Sequence, residues 1–392
     1  MTLLRPENPH QARLVRLLRD DGPRSRVELG DRLGLSRSTL TAELDRLVAR
    51  GLVEIAGPAA SRGGRRSSLL RLAAGVRFAS VVVAADRIRV AVTDGELNVL
   101  AEAGEPVDVR GGPEAVIGRA AELIGKLRAD LGVADVTGVG VALPGSVDGG
   151  VCVAPAVLPG WQRFGVRDAF ATELGCPARV DNDANVFALG EQHAGIGRTF
   201  EDFLYLKLGT AVGCGLVLGG SLHLGSTNSA GDIAHLSLDD DGPVCACGEI
   251  GCLEAYCGDA GLVRAALVIA RSGRSAALAA RLAEAGVLTV PDIAAAATAG
   301  DPAAQALIRD AARRLGRVLV SLVSFVNPGI VVIGGTPDGL GHIMLSEIRG
   351  VVYRRSAPLA TGTMPVVLSD LADRAGLVGA ARLVSEHVFS VD

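Results

Sequence analysis

Aromatic residues are only 3% of this 392-residue chain, with one Trp and three Tyr. Its cores must therefore be built from Ala, Val, Leu and Ile. No uninterrupted apolar run approaches the ~18–20 residues that cross a bilayer, which excludes a membrane-spanning helix. Met1 to Arg13 is polar and lacks the apolar segment of a secretion leader, so a soluble cytoplasmic protein is expected. There is no tandem repeat and no low-complexity linker. Charged residues are 21% and hydrophobic ones 49%, which excludes a disordered chain and supplies enough apolar area for large cores. At ~150 residues per domain, two or three domains are expected.

The net charge of −4 hides an asymmetry. Residues 1–75 hold 14 Arg against 8 Asp and Glu, a net of +6, and the remainder carries −10. A small basic head on an acidic body suits a nucleic-acid partner. The cysteines are uneven as well. Cys245, Cys247, Cys252 and Cys257 fall within thirteen residues, whereas Cys152, Cys176 and Cys214 are scattered and read as small buried apolar side chains.

In the head, Leu14, Val15, Leu17 and Leu18 recur at helical spacing, and Asp21-Gly22-Pro23 ends that helix. Ser25 and Glu28 form a capping box for a second helix that runs to about Leu33. Gly34 makes a turn. Ser36 then caps a third helix with Leu40, Leu44, Leu47 and Val48 on one face, stopped by Gly51. This is a helix-turn-helix pattern, with Ser36, Arg37, Ser38 and Thr41 placed to meet base edges and phosphates in a major groove. Three short helices alone would equally make a protein-contact module. The strand Leu52–Ile55, the basic loop Ser61–Arg66 and the returning strand Leu69–Leu72 add a β-wing, whose Arg62, Arg65 and Arg66 suit phosphates or a minor groove.

From about Val76 the pattern changes to short β-branched runs alternating with helical stretches. Strands are expected at Ala79–Ala84, Ile88–Val92, Val136–Leu143, Phe203–Leu208, Gly213–Leu218 and Ile330–Ile333. Helices are expected at Glu114–Leu131, Ala184–His193, Leu262–Ala270, Ala303–Phe325 and Leu377–His387. The alternation implies α/β layers with partly parallel sheets, and the length implies two lobes with a cleft. Leu143-Pro144-Gly145 and Leu158-Pro159-Gly160 mark loops at strand ends, where ligands bind in such sheets. Asp181-Asn182-Asp183-Ala184-Asn185 follows a strand and opens a helix. Its carboxylates and amides suit a polyol, with Asp183 a candidate general base, or they merely cap the helix. The Gly-rich turn Leu208 to Gly215 could bring backbone N–H groups to a phosphate, or could be a tight hairpin.

The sharpest local motif is His235 followed by Cys245-Ala246-Cys247-Gly248-Glu249-Ile250-Gly251-Cys252. Three thiolates and an imidazole suit a closed, tetrahedral and therefore structural zinc site, with Cys257 an alternative fourth ligand. Reduced, buried cysteines without metal are the plain alternative. A bound metal would clamp this loop and turn His235 and Glu254 toward the cleft.

Cys245 to Glu254 reads C-x-C-G-x-x-G-C-x-E, and with the winged head the chain resembles sugar-responsive transcriptional regulators of the ROK family (repressors, open reading frames, kinases). The resemblance implies a winged helix-turn-helix domain over 1–75 and, over 76–392, a two-lobed, actin-like (ribonuclease-H-like) sugar-binding body that assembles as a dimer or tetramer. It places the sugar on Gly145, Asn182, Asp183, Asp232, His235 and Glu254. Asp232 departs from the family's Glu. A larger departure stands at the first phosphate motif. Where ROK kinases carry D-x-G-G-T, this chain has Val82-Val83-Ala84-Ala85-Asp86. The second motif, G-T-G-x-G-G-G, reads G-T-A-x-G-C-G from Gly209. Phosphoryl transfer depends on positioning and charge neutralisation, so these losses remove several kcal/mol of transition-state stabilisation. The expectation is a non-enzymatic, sugar-controlled regulator, most simply a repressor, that binds double-stranded operator DNA as a homodimer and holds one structural zinc per chain. Its rivals are a sugar kinase with an appended DNA-binding head, and a regulator that answers a partner protein through a degenerate pocket.

Overall fold

The computed structural model describes residues 4–58, 68–154, 157–335 and 340–391. In the head, Asn8 accepts the Gln11 N–H at 3.0 Å and starts the helix Pro9–Asp21, which Gly22 ends. The Ser25–Glu28 capping box forms and starts Arg26–Leu33, and Gly34, at φ 64°, turns the chain into Arg37–Ala49. A small antiparallel sheet places Ser68–Leu72 between Arg24–Ser25 and Val53–Pro58. Leu40, Leu44 and Leu47 are buried, but Val48 is exposed at the margin of that face. One residue of α-helix turns by 100°, so Leu47 and Val48 do not share the stripe. The wing residues Arg62, Arg65 and Arg66 lie outside the described residues.

The first lobe carries a five-stranded sheet in the order 178–182, 138–143, 77–83, 87–94, 99–106. The first three strands are parallel, and two antiparallel hairpin strands complete it. The strand Val99–Pro106 was not anticipated from sequence: its side chains alternate between half-buried and exposed, so it lacks an apolar run. Ala79, Val81 and Val83 pack with the helices Pro113–Leu131 and Val166–Leu174. Phe78, on the opposite face, meets Phe389 edge-on at 5.8 Å, beside the last helix Arg374–Val388.

The second sheet has the order 221–222, 213–218, 203–207, 330–334, 366–368. A layer that includes Asp259–Arg271, Pro302–Val326 and Gly341–Arg355 covers one face. Phe187 and Ala188, from the helix Asp183–Ala194, cover the other. That helix and Arg374–Val388 therefore fill the space between the two sheets. They cross at backbone contact. A Cβ on Gly379 would stand 1.7 Å from the Val186 carbonyl oxygen, and one on Gly190 would stand 1.9 Å from that of Ala375. Among the described residues no helix is long and apolar enough to cross a membrane.

No side chain fits at that crossing without separating the helices. Gly379→Ala is expected to cost about 3 kcal/mol, the upper range for overpacking. Urea unfolding of the full chain will show it as a lower midpoint.

Candidate functional site

The parallel strands Gly138–Leu143 and Ala178–Asn182 end side by side, with Asn182 opposite Leu143. At this edge the chain must turn sharply, and Gly145 does so at φ 101°. Its carbonyl accepts Asn182 Nδ2 at 3.0 Å, while Asn182 Oδ1 caps the next helix through the Ala184 N–H at 2.9 Å. Both ends of the Asn182 amide are thus occupied in holding the corner. Asp181, buried beneath it, accepts the Asn182 N–H and Asn185 Nδ2, and burial pushes its carboxyl up.

Asp183 opens the helix and is 4% exposed. Its Oδ2 meets Lys207 Nζ at 2.9 Å. Lys207 ends the strand Phe203–Lys207, is 9% exposed, and its ammonium also stands 5.9 Å from the centre of the Phe187 ring. Sequence reasoning missed this residue. The signal was present, because Lys207 is one of only two lysines in an arginine-rich chain and closes an otherwise apolar strand.

The facing wall comes from the second lobe. In the turn after Lys207, the Val212 N–H donates to Glu254 Oε2 at 2.7 Å. Burial pushes the Glu254 carboxyl up to about 7, against the pull of that N–H and of Lys207. Gly231 packs on the Cys214 carbonyl, where any Cβ would collide, and so fixes the approach of Asp232 to His235. The Glu254 N–H to Ala234 and the Leu253 N–H to Leu236, at 2.8 and 2.9 Å, tie the cysteine loop to this stretch.

These walls enclose a cavity of about 700 Å³, within the ~300–1,000 Å³ usual for small-molecule sites. Gly145, Asn182, Asp183, Asp232, His235 and Glu254 all line it, with Leu158, Pro159 and Gly160 from the other anticipated loop. Ser146, Gln162, Asn185, Thr210 and Asn228 line it too. Asn185 and Thr210 belong to the run and the Gly-rich turn already singled out, whereas Ser146, Gln162 and Asn228 are single polar residues with no spacing that marks them.

Beside the cavity, the ligand atoms of His235, Cys245, Cys247 and Cys252 lie within 4.8 Å of one another. Cys247 and Cys252 Sγ are 3.7 Å apart, and Cys245 Sγ is 3.8 Å from His235 Nδ1. An S–S bond is ~2.05 Å, so these thiols are free. With metal–sulfur bonds of ~2.3 Å, neighbouring corners of a tetrahedron are about 3.8 Å apart, so the quartet fits a closed four-ligand ion. The Glu249 backbone N–H pulls the Cys247 thiol down, which favours the thiolate a metal needs. Cys257 does not join the group. It lies in the core and donates to the Ala311 carbonyl at 3.3 Å, because the helix Leu253–Cys257 carries it away from the loop. Cys152, Cys176 and Cys214 are buried as expected.

On the head, Ser36, Arg37, Ser38 and Thr41 are exposed. Ser36 Oγ is already engaged as the cap, accepting the Thr39 N–H at 3.2 Å. At the first phosphate motif, Val83 closes a strand, and the Ala84 N–H bonds the Arg87 carbonyl across a tight turn that leaves Asp86 exposed.

Residues 78–387 match the ROK family, and residues 8–67 match the MarR family. The xylose repressor of Caldicellulosiruptor bescii is 26% identical over 372 residues, covering 93% of this chain and 92% of the relative. A glucokinase of Halalkalibacterium halodurans is 33% identical over 261 residues, covering 66% of this chain and 79% of the kinase. In fold, the chain is similar to the solved structure of a ROK family transcriptional regulator, a homolog of the E. coli MLC protein, with TM-score 0.80, 23% identity, and coverage of 97% of this chain and 96% of that one. A winged head of MarR type thus stands before an actin-like body, and the chain belongs to the ROK family.

Proposed function

We propose that this protein is a cytoplasmic transcriptional repressor whose hold on operator DNA is set by a sugar bound in the interlobe cavity. The carrying observation is the asymmetry of the cleft. Six groups suited to a polyol line one cavity, while the turn at Val82–Asp86 offers an apolar side chain and a carboxylate where a kinase needs phosphate contacts. Asp183, Asp232 and Glu254 would accept sugar hydroxyls, and Asn182 and Gly145 hold the corner that positions Asp183. In the division proposed here, residues 1–75 form the DNA-binding unit and 76–392 the sugar-binding body. Two heads of a homo-oligomer would meet half-sites about one helical turn, or a multiple, apart. Arg37, Ser38 and Thr41 would read bases, with Arg62, Arg65 and Arg66 supplying salt-sensitive affinity.

Zinc on His235, Cys245, Cys247 and Cys252 would be structural. It supplies a rigid clamp that keeps His235 and Glu254 facing the cavity, and a closed shell leaves no place for reactive water.

The placement of Asp183 beside the cavity favours sugar phosphorylation as a second reading. Its salt bridge opposes that reading, because a carboxylate already committed to an ammonium at 2.9 Å is a poor acceptor for a hydroxyl proton. The xylose repressor matches this chain across its length, head included, and the glucokinase matches two thirds of it.

Three outcomes are expected. Gel-shift titrations on DNA from upstream of the protein's own gene will give a midpoint that one of D-xylose, D-glucose or D-glucosamine moves by about 5–150-fold. Unchanged affinity with every sugar, or ATP-dependent turnover of any of them at ~1–100 s⁻¹, would overturn the proposal. Elemental analysis of freshly purified protein will find one zinc per chain, and Cys247→Ser will lose it; a metal-free wild type sinks the zinc assignment. Lys207→Met will leave a buried charge unpaired and cost about 3–5 kcal/mol of stability in urea, and adding Asp183→Asn will restore most of it.

A further inference from the structure

The helix Asp183–Ala194 has one end in the cavity and the other against the DNA-binding head. At its first turn Asn182 and Asp183 line the cavity. About 15 Å away, at ~1.5 Å per residue, His193 Nδ1 lies 3.7 Å from Asp20 Oδ1. Asp20 belongs to the first helix of the head, Pro9–Asp21. Arg198, just beyond the same helix, donates to the Asp20 carbonyl at 3.3 Å. Arg382, on the last helix, holds the Asp20 carboxylate as well.

This junction is buried and charged. Arg19 of the head is 2% exposed and reaches Glu386 at 2.7 Å and Ser385 Oγ at 2.9 Å, both on the last helix. Head and body also share one apolar core, in which Leu14 and Leu18 join Val384, Val388 and Phe389. Along its length the helix 183–194 touches the helix 374–388 backbone to backbone at Gly190 and Gly379. Such a contact has no slack, so a shift of one helix must be passed to the other.

We propose that the helix Asp183–Ala194, keyed into Arg374–Val388, is the lever that couples the cavity to the head, with Asp20, His193, Arg198 and Arg382 as its latch. The proposal rests on the sugar-receptor function above and adds its transmission. A ligand that draws Asp183 toward either lobe displaces the lever, and the latch converts that displacement into a change of head position. Coupling of this kind is reciprocal, so weakening the latch must also be felt at the cavity end.

Hydrogen–deuterium exchange on the full-length protein tests this without any ligand. In His193→Gln and in Asp20→Asn, amides of residues 184–190 should exchange at least about threefold faster, while strand 203–207 stays unchanged. Acceleration confined to residues 15–24 and 191–199, or none, would overturn the lever. Two variants are used because Asp20→Asn could unseat the head altogether. In a second arm, D-xylose, D-glucose and D-glucosamine are titrated against the fluorescence of Trp161, the chain's one tryptophan, buried beside cavity residues Gly160 and Gln162. A responding sugar should slow exchange at residues 16–21 in the wild type and not in His193→Gln. Equal slowing in both would overturn the proposal. Silence of Trp161 toward all three sugars would count against the receptor function instead, and the sugar-free arm would still decide the lever.

Discussion

Backbone meets backbone where the helices 183–194 and 374–388 cross, and the rest of the molecule is arranged around that contact. Gly190 and Gly379 let each helix rest on a carbonyl of the other. The first helix then presents Phe187 and Ala188 to the second sheet. The second presents Ala381, Val384 and Val388 to the head and to Phe78 of the first sheet. Both lobes and the head thus pack on a single pair of helices. A larger side chain at either glycine would push the lobes apart, and the cavity between them would change shape.

The cavity draws its character from that placement. Asp183 sits at a helix start and at the end of two parallel strands, where the backbone leaves N–H groups and strand ends open to a ligand. Its burial would be costly without Lys207, and the pair settles the charge at the base of the cleft. The second lobe contributes Glu254 and His235 through a loop folded by two tight glycine turns at Gly248 and Gly251. His235, Cys245 and Cys247 also line the cavity, so the group of sulfur and imidazole donors adjoins the carboxylates of Asp183, Asp232 and Glu254.

Much of this was legible in the residues themselves. Ser25–Glu28, Ser36 and Gly34 mark the head's helices through local chemistry, and local chemistry survives folding. Apolar runs such as Val136–Leu143 and Ile330–Ile333 mark central strands because both of their faces are buried. The edge strand Val99–Pro106 escaped notice because only half of its surface needs to be apolar. Cys257 looked like a ligand by spacing, but the helix it sits on turns it into the core. Lys207 was passed over because its acidic neighbours in sequence, Glu201 and Asp202, are not its partner; that is Asp183, 24 positions away at the start of a helix.

The sequence alone determined which chemistries are present: a basic helix-turn-helix head, a run of carboxylates and amides from Asp181 to Asn185, three thiols and an imidazole at metal-ligand spacing, and an apolar stretch at Val82–Ala85. These are properties of residue types at short separations. Tertiary structure alone decided that Asp183 is neutralised by Lys207, that Cys257 turns into the core away from the other clustered cysteines, and that the cavity and head meet the two ends of one helix. Those outcomes depend on long-range packing, in which residues far apart along the chain are brought within a few ångströms by the burial of apolar faces and by the close approach that only glycine permits.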